Sequence, residues 1–238
     1  SARRHRWADC PLRGGHVDGV LIISEHDTRD VIGLATDADL PVVVGGRPLA
    51  VHPGVSFVDA DNTKGAVLAT EHLLSRGCRV VGTVTGPQDM SAGIDRVSGF
   101  RQAMGAAFDP RLVEAGDFTT AGGTAATQRL LERRPDLDGI FVASDLMALG
   151  ALRALAQAGR RVPEDVAVVG FDDSDVAAVA TPSLTTVRQD TLEMGRVMAQ
   201  VLLTRLGHVV DDPAAEIEDD PGAAGIVLDV ELAVRESA

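Results

Sequence analysis

A short apolar run, Ile140 to Ala143, ends at Ser144-Asp145 and leads into a stretch with apolar residues at Leu146, Leu149, Leu152 and Leu155. That spacing marks one face of an α-helix. A Gly159…Pro163 break follows, and a second apolar run, Val166 to Val169, ends at Gly170-Phe171-Asp172-Asp173. Strand, helix and strand in so few residues constrain the chain more than any other feature. They read as a right-handed crossover between two parallel strands. Both strands place polar residues just past their carboxyl ends, where open α/β sheets bind ligands.

The same alternation runs along the whole chain. Strands are expected at Val17 to Ile23, Val42 to Val44, Val55 to Val58, Val80 to Thr85 and Leu112 to Ala115, with a last one around Ile226 to Leu232. Helices are expected at Thr28 to Asp39, Thr63 to Ser75, Asp95 to Ala107, Ala121 to Arg133 and Thr191 to Leu206. The helix at Thr63 is the best marked, with Asp61 or Asn62 as its N-cap and Gly77 after its last turn. Alternating β and α argue for parallel, doubly wound sheets. Composition agrees: 45% of the 238 residues are hydrophobic and only 3% aromatic, which suits buried aliphatic strands.

A net charge of −13 means that the chain as a whole should repel nucleic acid. Its opening is locally basic, with Arg3, Arg4, Arg6 and Arg13, but no helix-turn-helix fits before the first strand. The acidic run Asp211 to Asp220 reads as a solvated loop. Cys10 and Cys78 form no disulfide framework or metal pattern and read as free thiols. No stretch approaches the ~20 apolar residues of a membrane span and no signal-peptide pattern is visible, so the chain reads as cytoplasmic, without a membrane partner. Catalytic and cofactor motifs are missing: no G-x-S-x-G, P-loop, H-E-x-x-H or post-strand G-x-G-x-x-G. The six histidines have no metal-ligand spacing, and Asp59 with Asp61 is too small a set for a metal. No enzyme, metal site or cofactor is expected.

Several blocks carry a specific resemblance. VASDLMALGAL, GRRVPEDVAVVGFDD, TPSLTTVRQDTLEMG, DADNTKGAVLATEHLLSRGCR, DRVSGFRQAM and the closing ELAVRES are similar to the effector-binding core of lactose-repressor-type (LacI/GalR) bacterial transcription regulators. The likeness runs from about Val17 to the C-terminus. It implies a type I periplasmic-binding-protein-like fold: two doubly wound parallel-sheet lobes joined by three crossings, near Asp61, near Gln189 and after Leu206. The N-terminal lobe would be 17–60 with 190–210, and the C-terminal lobe 62–188 with 225–236, after an irregular segment 1–16. Members of the family carry a strand, a helix and another strand before the segment that matches VDGVLII, so the first β-α-β unit of the N-terminal lobe is expected to be missing, together with the DNA-binding headpiece.

The resemblance also nominates a ligand site in the cleft between lobes. Arg96 is the arginine of the family's R-x-x-G-F motif (Arg96, Gly99, Phe100), and a guanidinium offers five donors in a fixed fork for sugar diols or carboxylates. Asp172 would accept hydrogen bonds from a sugar or base, and Phe118 would stack on the effector ring. Ser144 stands where the family often has an asparagine, while Asp145 reads as the cap of the helix that follows it. Asp173 and Asp175 read as capping residues. Asp61 and Gln189 sit at crossings and could line the cleft, with Met90 lending it an apolar face. Neither Arg96 nor Asp172 is placed on a core face by its sequence context.

The function implied is that of the effector-sensing and dimerisation core of a transcriptional regulator. A small polar metabolite, most simply a sugar, would bind in the cleft of a two-fold homodimer. It would modulate operator DNA, which only the headpiece contacts. A solute-binding protein of a sugar transport system shares the fold and is the alternative, but that class does not usually carry the TPSLTTVRQD…MG segment and requires an export signal.

Overall fold

In a computed structural model, residues 17–23, 29–50, 52–209 and 225–238 are described. The basic opening with Cys10, the start of the expected helix at Thr28 and the acidic run from Asp211 to Asp220 lie outside them. The chain separates into two compact units. One comprises the described residues within Ser1–Asp59 and Thr191–Ile226; the other is Ala60–Asp190 with Val227–Ala238.

The first unit is built on strands β1 (Val20–Ile23), β2 (Val42–Gly45) and β3 (Val55–Ala60), which run parallel and in that order. Strand β9 (Gly225–Leu228) completes the four-stranded sheet beside β3. Helix α1 (Arg29–Thr36) buries Ile32 and Ala35 against Val42, Val44 and Val55. Helix α6 (Thr191–Arg205) packs on β2 through the buried side chains of Met198 and Val201.

The second unit holds β4 (Val81–Thr85), β5 (Val113–Ala115), β6 (Gly139–Val142), β7 (Ala167–Asp172), β8 (Thr185–Arg188) and β10 (Glu231–Ala233), in the order β10-β8-β7-β6-β4-β5. All pairs are parallel except β10 (Glu231–Ala233) with β8 (Thr185–Arg188). The strand–helix–strand reading holds: β6 (Gly139–Val142) and β7 (Ala167–Asp172) pair in parallel, joined by α5 (Asp145–Gln157). Successive residues of a strand point to opposite faces, and the two faces have separate cores. Ile140, Val142 and Val168 pack with Leu130 of α4 (Thr120–Arg133) and Met147 and Leu155 of α5. Phe141 and Phe171 point the other way, their ring centroids 6.5 Å apart. On that side α2 (Asn62–Ser75) packs against β6 and β7, with α3 (Ser91–Met104) beside it.

The N-cap of α2 is Asp61, whose Oδ1 accepts from the Lys64 N–H at 2.9 Å, and Gly77 follows the helix with φ of 93°. Three local expectations need correction. Helix α3 begins at Ser91 rather than Asp95, because Met90 enters extended with no side-chain cap to announce the start. Strand β8 was not expected, since Thr185-Thr186 looks like loop. Both threonines are nevertheless fully buried, their polar groups met by Ser237, Ala238 and Asp145. The single strand expected at Ile226 to Leu232 is two: β9 ends at Leu228, Asp229 turns out to pair with Lys64, and β10 joins the larger sheet.

Candidate functional site

In the larger sheet the chain leaves β4 (Val81–Thr85) for β5 (Val113–Ala115) on one side, then returns to place β6 on the other. The gap between the carboxyl ends of β4 and β6 is therefore the topological switch point, where doubly wound sheets hold ligands. Arg96 reaches it from α3. Its backbone can come close because Gly99, one turn on, has no Cβ: one built there would lie 2.3 Å from the Thr63 carbonyl oxygen of α2. This is the physical content of the R-x-x-G-F spacing.

Arg96 is only 4% exposed, so it is a core residue after all. Its Nε donates to Asn62 Oδ1 at 2.8 Å and its Nη1 to the Ala143 carbonyl oxygen, at the end of β6, at 2.6 Å. Its guanidinium carbon stands 3.6 Å from the centroid of the Phe171 ring, within the range of a cation–π contact. Nη1 also approaches Asp172 Oδ1, at 3.5 Å. Gln189, just past β8, donates from Nε2 to the same oxygen at 2.8 Å. The Asp172 side chain keeps 26% of its surface exposed, against 5% for Arg96, so the carboxylate is the accessible face of the pair.

Arg96, Asp172 and Gln189 thus come together, with Asn62 and Phe171 joining them. Phe118, half-buried after β5, has its ring centroid 5.9 Å from the Arg96 guanidinium carbon and sits at a positive φ of 60°. Such backbone costs a non-glycine residue on the order of 1–3 kcal/mol and persists where surrounding contacts impose it. Here Asp117 Oδ1 holds the next residue, accepting from both the N–H and the hydroxyl of Thr119. Ser144, adjoining Ala143, is the N-cap of α5 and accepts from the Met147 N–H at 3.3 Å. Asp145, expected as that cap, lies inside the helix and points elsewhere. Asp61 is engaged at the start of α2. Met90 stands at the N-cap of α3, with its N–H on the Pro87 carbonyl oxygen at 3.4 Å. Asp173 does not cap a helix either, since it pairs with Arg188 and Arg235 at 2.6 Å each.

Two members of the cluster were missed in the sequence. Asn62 reads only as a helix-start residue and Phe171 only as part of the Gly170 to Asp173 stretch at a strand's end. Their signal is position: each stands beside a residue already singled out, Asp61 and Asp172.

Burial pushes the Asp172 carboxyl up to about 6; the Arg96 charge pulls it down and the Asp145 charge pushes it up again. An unfolded aspartate releases its proton near 4. Between about pH 4 and 6 the folded state therefore holds a proton that the unfolded state has lost, and stability falls as pH rises through that window. Asp172→Asn removes the ionisation. Arg96 keeps its bonds to Asn62 and Ala143 in that variant. At pH 7 it is expected to be about 1–2 kcal/mol more stable than the parent, the full linkage being reduced for a partly exposed group. Below pH 4 the difference should vanish, and urea unfolding at the two pH values checks both. A parent as stable as the variant at pH 7 would refute the burial argument.

Among the described residues no cluster of three His, Cys, Asp or Glu side chains could hold a metal ion, and no helix is long and apolar enough to cross a membrane. Burial raises the Cys78 thiol above its ordinary range.

Comparison with known proteins gives a consistent set. Residues 70–237 match the periplasmic binding protein-like domain family. The chain is 48% identical over 230 residues to the HTH-type transcriptional regulator CelR of Thermobifida fusca, covering 95% of this chain and 65% of that protein. It is 32% identical to the ribose operon repressor of Halalkalibacterium halodurans, covering 82% of this chain and 57% of the repressor. It is 31% identical to the transcriptional repressor CytR of Escherichia coli K12, covering 93% and 62%. The chain thus spans just under two thirds of these relatives. Among solved structures it is similar to a transcriptional regulator CelR–cellobiose complex, with TM-score 0.86 and 47% identity over 95% of this chain and 68% of that one. It is also similar to a LacI family regulator from Enterococcus faecium with bound ribose, with TM-score 0.78 and 28% identity over 95% and 81%.

Proposed function

Because this chain belongs to the lactose-repressor-type (LacI) family of transcriptional regulators, we propose that its larger unit is a sugar sensor and that the cluster around Arg96 and Asp172 is where the sugar binds. The observation that carries this reading is a buried arginine paired with a partly exposed carboxylate at a sheet's switch point, with an aromatic ring alongside. Sugar hydroxyls both donate and accept. A carboxylate that accepts and a guanidinium fork that donates match such diols. Phe118 supplies an apolar face for the C–H side of a pyranose ring. Ser144, Asp61, Gln189 and Met90 are assigned to the same binding region.

Two of the similar structures hold sugars: cellobiose in the CelR complex and ribose in the E. faecium regulator. The 48% identity to CelR makes a β-linked disaccharide the first choice for this chain. Sugar binding by a cytoplasmic two-fold homodimer would then modulate operator DNA binding through a helix-turn-helix segment of the whole protein, outside these 238 residues. No covalent chemistry is assigned to the site. The solute-binding alternative is set aside, because the relatives above are regulators.

Cellobiose should raise the melting temperature. At a hundred times its dissociation constant a ligand adds about 2.7 kcal/mol, and in a chain of this size each kcal/mol shifts the midpoint by about 2–4 °C. A flat response to cellobiose and to a panel of mono- and disaccharides would overturn the sugar reading.

A further inference from the structure

Asp145 is fully buried, one residue past the N-cap of α5. Ser144 serves the helix's own N–H groups, and the Asp145 carboxylate is spent on two other elements. Its Oδ2 accepts from the backbone N–H of Ser174 at 2.8 Å and from the Ser174 hydroxyl at 2.9 Å. Its Oδ1 accepts from the Thr186 hydroxyl of β8 at 2.6 Å. The sheet leaves it room: a Cβ on Gly170 would lie 2.5 Å from Oδ1. One carboxylate therefore ties the end of β6 to the turn after β7 and to β8.

That turn needs tying. Asp172 and Asp173 are consecutive non-glycine residues with positive φ, 119° and 55°. Backbone of this kind holds only when its surroundings over-determine it. Arg188 and Arg235 clamp Asp173 from one side, and Asp145 clamps Ser174 from the other. Asp172 immediately precedes the two clamped residues.

We propose that Asp145 is a positioning residue for the sugar site: it holds the strained Asp172–Ser174 turn so that the Asp172 carboxylate faces Arg96, and it touches no ligand itself. This rests on the sugar-sensor reading above. The charged groups facing Asp172 are Arg96 from α3 and Asp145 from α5, with Asp173 on its own turn offset by Arg188 and Arg235. Gln189 and Asn62 contribute no charge.

The test uses the 238-residue chain with Asp145→Asn, and Thr186→Val as a milder companion. Cellobiose affinity is measured by calorimetry well below the melting point. Hydrogen exchange of the Ser174 amide and the NMR titration of the Asp172 carboxyl are followed without ligand. Asp145→Asn should speed Ser174 exchange at least tenfold while β4 and β6 stay protected, and should weaken cellobiose at least tenfold. It should also move the Asp172 midpoint to lower pH, because a like charge is gone. Leu130→Ala, which thins the core of the same unit, should lower the melting temperature and leave all three readouts in place. Should Asp145→Asn fail to fold, Thr186→Val carries the inference, with faster Ser174 exchange and about threefold weaker binding. Unchanged Ser174 exchange, or an unmoved Asp172 midpoint in Asp145→Asn, overturns the positioning role. If cellobiose does not bind the parent chain, the sugar reading fails by itself, and exchange and titration still decide whether Asp145 holds Asp172.

Discussion

Arg96→Ala is expected to abolish detectable cellobiose binding and to lower the unfolding free energy by roughly 3–5 kcal/mol. The second effect follows from burial. Placed at a ligand site by motif alone, the residue looks removable without harm to the fold; at 4% exposure it is not. Its loss removes the donor that reaches the Asn62 side-chain oxygen and the Ala143 carbonyl oxygen, and a buried acceptor that loses its partner costs about 1–3 kcal/mol. It also takes the nearby cation from Asp172, whose carboxyl burial already holds near pH 6. Arg96→Lys separates the two effects. An ammonium keeps the charge but cannot make both the Nε and the Nη1 contacts, because these need a planar fork. It should recover part of the stability and little of the binding. Urea unfolding and calorimetry measure the two quantities, and an Arg96→Ala chain as stable as the parent would show that the arginine is not the internal brace described above.

The fold was largely legible because its strongest signals are local. Apolar runs such as Ile140 to Ala143 and Val166 to Val169, separated by a helix-period stretch, define parallel strands without reference to anything distant. What escaped depends on distant partners. Thr185 and Thr186 look like loop because their hydroxyls are polar, and they become strand only because residues some 41 to 53 positions away receive those hydroxyls inside the sheet. The start of α3 escaped because extended Met90 carries no capping side chain. At the site, the family resemblance singled out Arg96 by its motif, Asp172 by its place at a strand end and Gln189 by its place at a crossing. Their convergence was implied only by the resemblance, since Arg96 and Asp172 are 76 residues apart and nothing local links them. Asp145 shows the same limit. An acid beside a serine at a helix start reads as the cap, and only the fold shows the serine capping while the acid reaches Ser174 and Thr186.

Phe171 joins the core to the site, and its replacement should affect both. The ring is fully buried, 6.5 Å centroid to centroid from Phe141, and packs so closely on α2 that a Cβ at Gly65 would lie 2.5 Å from its edge. Phe171→Ala is expected to cost about 3–5 kcal/mol, the usual range for emptying a buried phenylalanine site. The same ring is the floor beneath the Arg96 guanidinium, 3.6 Å away, where a desolvated cation–π contact is worth up to about 2 kcal/mol. Phe171→Leu distinguishes the two roles, because it refills most of the volume without a π face. It should lose less than about 1.5 kcal/mol of stability if volume is what the core needs. Sugar affinity should nevertheless fall clearly, because a guanidinium without a flat support can rotate away from Asp172 and from the fork geometry that a diol requires. Urea midpoints give the first quantity and cellobiose calorimetry the second. A leucine variant that binds as tightly as the parent would mean that the polar partners of Arg96, Asn62 and Ala143 among them, orient it without the ring, leaving the ring a purely structural task.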